Sequence, residues 1–258
     1  MHKAFLSYRW WIQTYGPERE VELAKRIKEK TGDYQKHAED YRLFEKSAPA
    51  LTLARKIMGS NFIGEAEVVE KLKLMPNSEV LQVILFKEST LVECSDTHVL
   101  MPILPVSIEN LWNYMKYSDN QDVASLIEDP CSGGLDSGCF FEGSTHWALV
   151  RKDAAPESFN KTWNEQMLLV NENEYVPSGQ EFFFSIIIRS LMKNDWCFGQ
   201  TTYFRVADTL FVGSQPQLED PGEHLYMGKW VNTIIFRSAN DYETQPCIGL
   251  ASCRRPDF

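Results

Sequence analysis

The chain has 258 residues, 43% of them hydrophobic and 24% charged, with a formal net charge of −10. That balance excludes disorder along the whole chain and argues against nucleic-acid binding through a global positive field. No run of about 18 apolar residues occurs, so no membrane span is expected, and "MHKAFLSYRWWIQTYG" lacks the pattern of an export leader.

The first 75 residues read as helical. "GPEREVELAKRIKEKTG" predicts a helix over about Pro17 to Lys30, with Pro17 in the first turn and Gly32 closing it. "YQKHAEDYRLFEK" continues as a second helix. "APALTLARKIMG" forms a third, with Pro49 at its start and Gly59 at its end. "GEAEVVEKLKLM" forms a fourth from Glu65, and Phe62 and Ile63 staple the corner between these two from inside. Basic and acidic residues alternate along these helices, so none has the basic face of a nucleic-acid module.

From residue 76 the pattern changes to an α+β core. "EVLQVILF" predicts a buried strand, because Val80, Leu81, Val83, Ile84 and Leu85 are too apolar for an exposed edge. A short helix, a strand over Val99 to Ile103 and a helix from Ser107 follow. Residues 117–143 are polar and glycine-rich and predict a long loop around a short helix at Val123 to Ile127. "THWALVRK" predicts a strand, and Ser158 to Val170 a helix. Ser178-x-x-Glu181 is a capping box ahead of "FFFSIIIRSLM", a helix apolar all round and therefore central. "TTYFRVA", "TLFVGS", "WVNTIIFRS" and "CIGLASCRR" predict strands in the last third. The expectation is one compact α+β domain over 1–258. Helical N-terminal residues pack on a mixed or mostly antiparallel sheet, with the 178–193 helix buried at the centre. An acidic, aromatic-rich protein is expected.

Several motifs carry possible chemistry. Ser132-Gly133-Gly134-Leu135-Asp136-Ser137 resembles the pyrophosphate-binding loop of the ATP pyrophosphatase family. The resemblance implies that Ser132, Gly133, Gly134, Asp136 and Ser137 line a phosphate cradle. Such a loop follows a buried strand and opens a helix. Here "LIEDP" precedes it and "GCFFEGSTHW" follows, so residues 131–138 are expected to bind no ATP. Cys94, Cys131, Cys139, Cys197, Cys247 and Cys253 are scattered. Free thiols in a cytoplasmic protein, with no metal and no cofactor, are expected.

A thiol hydrolase would use Cys139 as nucleophile, His146 as base and Asp96 to orient it. Asp96, Thr97 and His98 stand before one strand; Thr145 and His146 begin another that Arg151 ends. If the strands are neighbours, His98 and His146 fall at one sheet end, beside a long loop. Glu181 is placed to pair with Arg151 or Arg189. The expected function is that of a binding or accessory protein, with a small-molecule or protein partner. The alternative is a small-molecule hydrolase or transferase using His98, His146, Asp96, Cys139 and Arg151.

Overall fold

A computed structural model describes residues 34–74, 81, 83–106, 108–117, 127, 144–193, 203–210, 223–230 and 233–257. The expected helix at 17–30, all of the loop and short helix within 117–143 except Tyr117 and Ile127, the glycine motif at 131–138 and Cys139 lie outside the described residues.

Three helices open the described chain: α1 (Tyr34–Ser47), α2 (Pro49–Met58) and α3 (Glu65–Leu72). Pro49 occupies the first turn of α2, where its missing N–H costs nothing. Gly59 ends it at φ 55°, in the region that L side chains avoid. Phe62 and Ile63 are buried at the corner, and the Ile63 N–H donates to the Leu100 carbonyl at 2.9 Å. The helices are thereby tied to the sheet they cover. Next come α4 (Glu88–Cys94), β1 (His98–Ile103), α5 (Ile108–Tyr117), β2 (His146–Arg151), α6 (Trp163–Met167) and β3 (Glu174–Tyr175). The chain continues with α7 (Gly179–Lys193), β4 (Tyr203–Leu210), β5 (Glu223–Trp230), β6 (Thr233–Asn240), β7 (Ile248–Leu250) and β8 (Cys253–Arg254).

The strands form two four-stranded sheets, ordered β1-β2-β8-β3 and β6-β5-β4-β7. The first is antiparallel throughout; in the second only β4 and β7 run parallel. All of β1 is buried because both sheet faces are covered. Leu100, Trp147 and Leu149 face α2 and α4. Val99, Met101, Ile103, Ala148 and Val150 share the other core with α3, α5 and α7. Helix α7 packs against β1 of the first sheet and β4 and β5 of the second. This double cover explains why Phe182, Phe183, Phe184, Ile186, Ile187 and Ile188 are all buried. The Phe182 ring stands 5.2 Å from that of Phe204 on β4. Helices at the N-terminal end, an antiparallel sheet and a buried central helix make this an α+β fold, as the hydrophobic pattern requires.

Four local expectations are corrected. "EVLQVILF" is not a buried strand: Leu81 and Phe86 are buried, but Val83 and Leu85 are 59% and 46% exposed, and 83–86 hold no strand. The helix expected over 158–170 spans only Trp163–Met167. Thr162 caps it, and Ser158 and Gln166 are instead buried against β7. The described parts of "TTYFRVA" and "TLFVGS" fall in one strand, β4 (Tyr203–Leu210), whose register shifts between Arg205 and Thr209. "WVNTIIFRS" divides between β5 and β6, and β5 itself carried no clear strand pattern.

The picture of an acidic, aromatic-rich protein is also corrected, because neither trait appears as a structural feature. Glu45 and Glu67 are paired with Arg55, and Glu174 with Arg151. No aromatic cluster forms among the described residues. Phe62–Trp147 and Phe182–Phe204 are tilted pairs in separate cores.

Candidate functional site

The site is built around Glu181. Ser178 and Glu181 form the capping box of α7. The Ser178 N–H donates to Glu181 Oε2 at 2.8 Å, and the Glu181 N–H donates to Ser178 Oγ at 3.2 Å. The carboxylate does more than cap. Its Oε1 lies 2.9 Å from His146 Nε2 and accepts the Tyr175 hydroxyl at 3.0 Å. His146 Nδ1 lies 2.7 Å from the Ser144 carbonyl. Both ring nitrogens thus face acceptors, and only the imidazolium has a proton for each.

The electrostatics agree with that geometry. Burial pulls the His146 pKa down, but the hydrogen bonds to Glu181 and Ser144 and the Glu181 charge outweigh it and raise the value. Burial pulls Glu181 up, but the bonds from His146 and the Ser178 N–H, with the His146 charge, hold it below the usual carboxylate range. The Tyr175 phenol is driven upward by burial and by its neighbours Cys253 and Glu181. Cys253, opposite Tyr175 in the β3–β8 register, is raised by burial and is inert as a nucleophile.

This cluster opens on a cleft of about 560 Å³, within the range of small-molecule sites. His146 and Trp147 both line it, although successive strand residues point to opposite faces, so the cleft wraps the end of β2. Val83 and Leu85 form an apolar lip. The tail after β8 closes another side with Arg255 and Pro256. Arg255 Nε donates to the Glu174 carbonyl at 2.8 Å, and its guanidinium carbon stands 5.8 Å from the Tyr175 ring centroid. Asp257 anchors the tail: its N–H donates to the Leu85 carbonyl, and its carboxylate accepts the Lys87 N–H at the start of α4.

The expected residues do not converge. β1 and β2 are antiparallel, with His98 opposite Arg151 and His146 opposite Ile103. The two histidines therefore stand at opposite ends of the strand pair, which corrects the shared sheet end. Asp96 is exposed in a turn at the His98 end. Arg151 donates to Glu174 Oε1 at 3.1 Å and to Ser252 Oγ at 3.2 Å, so Glu181 takes His146 in place of Arg151. Arg189 donates to the Lys152 carbonyl. His98 is buried, with Nδ1 at 2.8 Å from Thr97 Oγ1 and Nε2 without a partner. Burial, then Arg151, Arg254 and Lys152, push its pKa down to about 4. Cys94 is pushed up to about 11, chiefly by burial. Elsewhere Glu65 is buried with neither carboxyl oxygen bonded, and burial, then Glu45, lift it to about 7. Tyr175 and Arg255 were missed because strand pairing over long sequence distances brings them to the cleft; the capping box was the one local signal at the site.

Among the described residues no group of three or more His, Cys, Asp or Glu side chains is placed to hold a metal ion, and no helix is long and apolar enough to cross a membrane. Cys94, Cys247 and Cys253 are free thiols. Fold and site together define an α+β protein with a ligand-sized cleft at a sheet end. No protein-family model, no curated protein and no solved structure matches the chain.

Proposed function

We propose that this protein binds a small amphipathic molecule in the cleft at the end of β2 and does not transform it. One observation carries the reading: the cleft has an apolar lip, while His146, Glu181 and Tyr175 beneath it already satisfy one another. Glu181 accepts from His146, Tyr175 and the Ser178 N–H, and both His146 nitrogens are engaged. A general base needs a free lone pair and a nucleophile needs a lowered pKa. His146 offers no such lone pair, and burial raises both Tyr175 and Cys253. A hydrolase or transferase stands second. It is favoured by the Tyr175–Glu181–His146 relay, which opens on the cleft.

The test pairs binding with turnover. Titration of 1-octanol into the protein is expected to shift the Trp147 indole N–H resonance, assigned through Trp147→Phe. Hydrolysis of p-nitrophenyl octanoate is expected to be no faster with the wild type than with His146→Gln. A hundredfold fall in hydrolysis on that substitution would establish the enzyme reading instead. Shifts scattered away from the cleft would count against binding there.

A further inference from the structure

Resting on that binding reading, we propose that the cleft selects an amphipathic carboxylate, whose head group is held by the Arg255 guanidinium. Three charged side chains line the cleft: His146, Glu181 and Arg255. The first two face each other at 2.9 Å and compensate. Arg255 is left over. Its Nε is committed to the Glu174 carbonyl and its plane is steadied near Tyr175. Its terminal nitrogens have no partner among the described residues.

The nearby acids are occupied. The Glu174 carboxylate takes Arg151 at 3.1 Å and the Asn171 amide at 3.0 Å. The Asp257 carboxylate takes the Lys87 N–H at 2.7 Å. With His146 and Glu181 facing each other, Arg255 is the charged side chain of the lining left over, presented as a planar fork. A fork of this kind matches a carboxylate through two parallel N–H···O bonds. Binding the anion would complete Arg255 without breaking any existing bond. The tail of such a ligand has its own surface: Val83 and Leu85 are exposed on the lip, and Trp147 stands behind them. A single uncompensated cation suits a monoanion better than a phosphate dianion, which would also face Glu181. The volume suits a small molecule, not a folded partner.

Calorimetric titration of the full chain with octanoate, 1-octanol, octylammonium and octyl phosphate tests this. The wild type is expected to bind octanoate about tenfold more tightly than 1-octanol, the scale of one charge-assisted fork. Arg255→Gln should erase that ratio, and Arg255→Lys, which keeps the charge but not the fork, should recover part of it. The proposal is overturned if octanoate binds no better than 1-octanol, if the ratio survives in Arg255→Gln, or if octyl phosphate or octylammonium binds more tightly than octanoate. Binding of 1-octanol without any carboxylate preference sinks this proposal alone. Binding of none of the four probes sinks the binding reading with it.

Discussion

His98 and His146 sit at the two ends of the β1–β2 pair, and the protein pushes their pKa values in opposite directions. His146 faces a carboxylate and a carbonyl, which favour its cationic form. His98 is buried beside Arg151, Arg254 and Lys152 and is kept neutral. Burial lowers both; the sign of the neighbouring charge decides the outcome. The ends also differ in access. The His146–Glu181 pair opens on the cleft, whereas Arg151 and Glu174 pair with only 20% and 7% of their side chains exposed. A residue type read from sequence therefore has no fixed charge until its neighbours are known.

The sharpest way to break this contrast is at the closed end. Glu174→Ala strands Arg151 in a mostly buried place and should cost about 3–5 kcal/mol in urea denaturation. Glu181→Ala removes three accepted hydrogen bonds at the open end, but water can reach His146 through the cleft. A smaller cost of about 2–3 kcal/mol is expected. If the two losses proved equal, access would not be what separates the ends.

The histidines should also give opposite pH slopes. The folded pKa of His98 is lowered, so the unfolded chain binds its proton first. Its share of stability falls as pH drops from about 6.5 towards about 4. The folded pKa of His146 is raised, so its share is full below about 6.5 and fades as pH rises through the folded value. Glu181 adds a share present above its ordinary value of about 4.5 and lost as acid passes through its lowered one. Denaturation midpoints measured across pH should show His98→Gln flattening the acid limb and His146→Gln the alkaline limb. The reverse assignment would overturn the comparison. The smallest effect is expected from Ser178→Ala, about 1 kcal/mol, since the Glu181 carboxylate retains the Ser178 N–H after the hydroxyl is gone. A loss far above that in thermal melts would mean that the cap also fixes the position of Glu181 in the cleft.

What was legible in the sequence follows from range. Helix caps and periodicity are local, so α2, α3 and α7 stand where Pro49, Gly59 and the Ser178–Glu181 box place them. The central place of α7 was legible because a helix apolar on every side must be covered on every side. The "EVLQVILF" reading failed because an apolar run interrupted only by Gln82 has no clear phase. Nothing in it says that Leu81 turns inward while Val83 and Leu85 line a cleft. The site was half legible. His146 and Glu181 were each noticed, but their pairing joins two elements that only the tertiary fold brings together. Tyr175 and Arg255 arrive through β3–β8 pairing, and no short motif announces that contact.

Residues 248–254 leave one sheet and enter the other: β7 lies beside β4, and after Ala251 and Ser252 the chain joins β2 and β3 as β8. The same segment therefore completes both sheets, and one of its contacts, Arg151 with Ser252, spans 101 positions. While the chain is being synthesised, neither sheet can close until this segment has emerged. Contacts of such long range form slowly, because the loop entropy is lost before the packing is gained. Until then α7 lacks part of its cover, and an apolar helix waits on a ribosome-bound chain for its last wall.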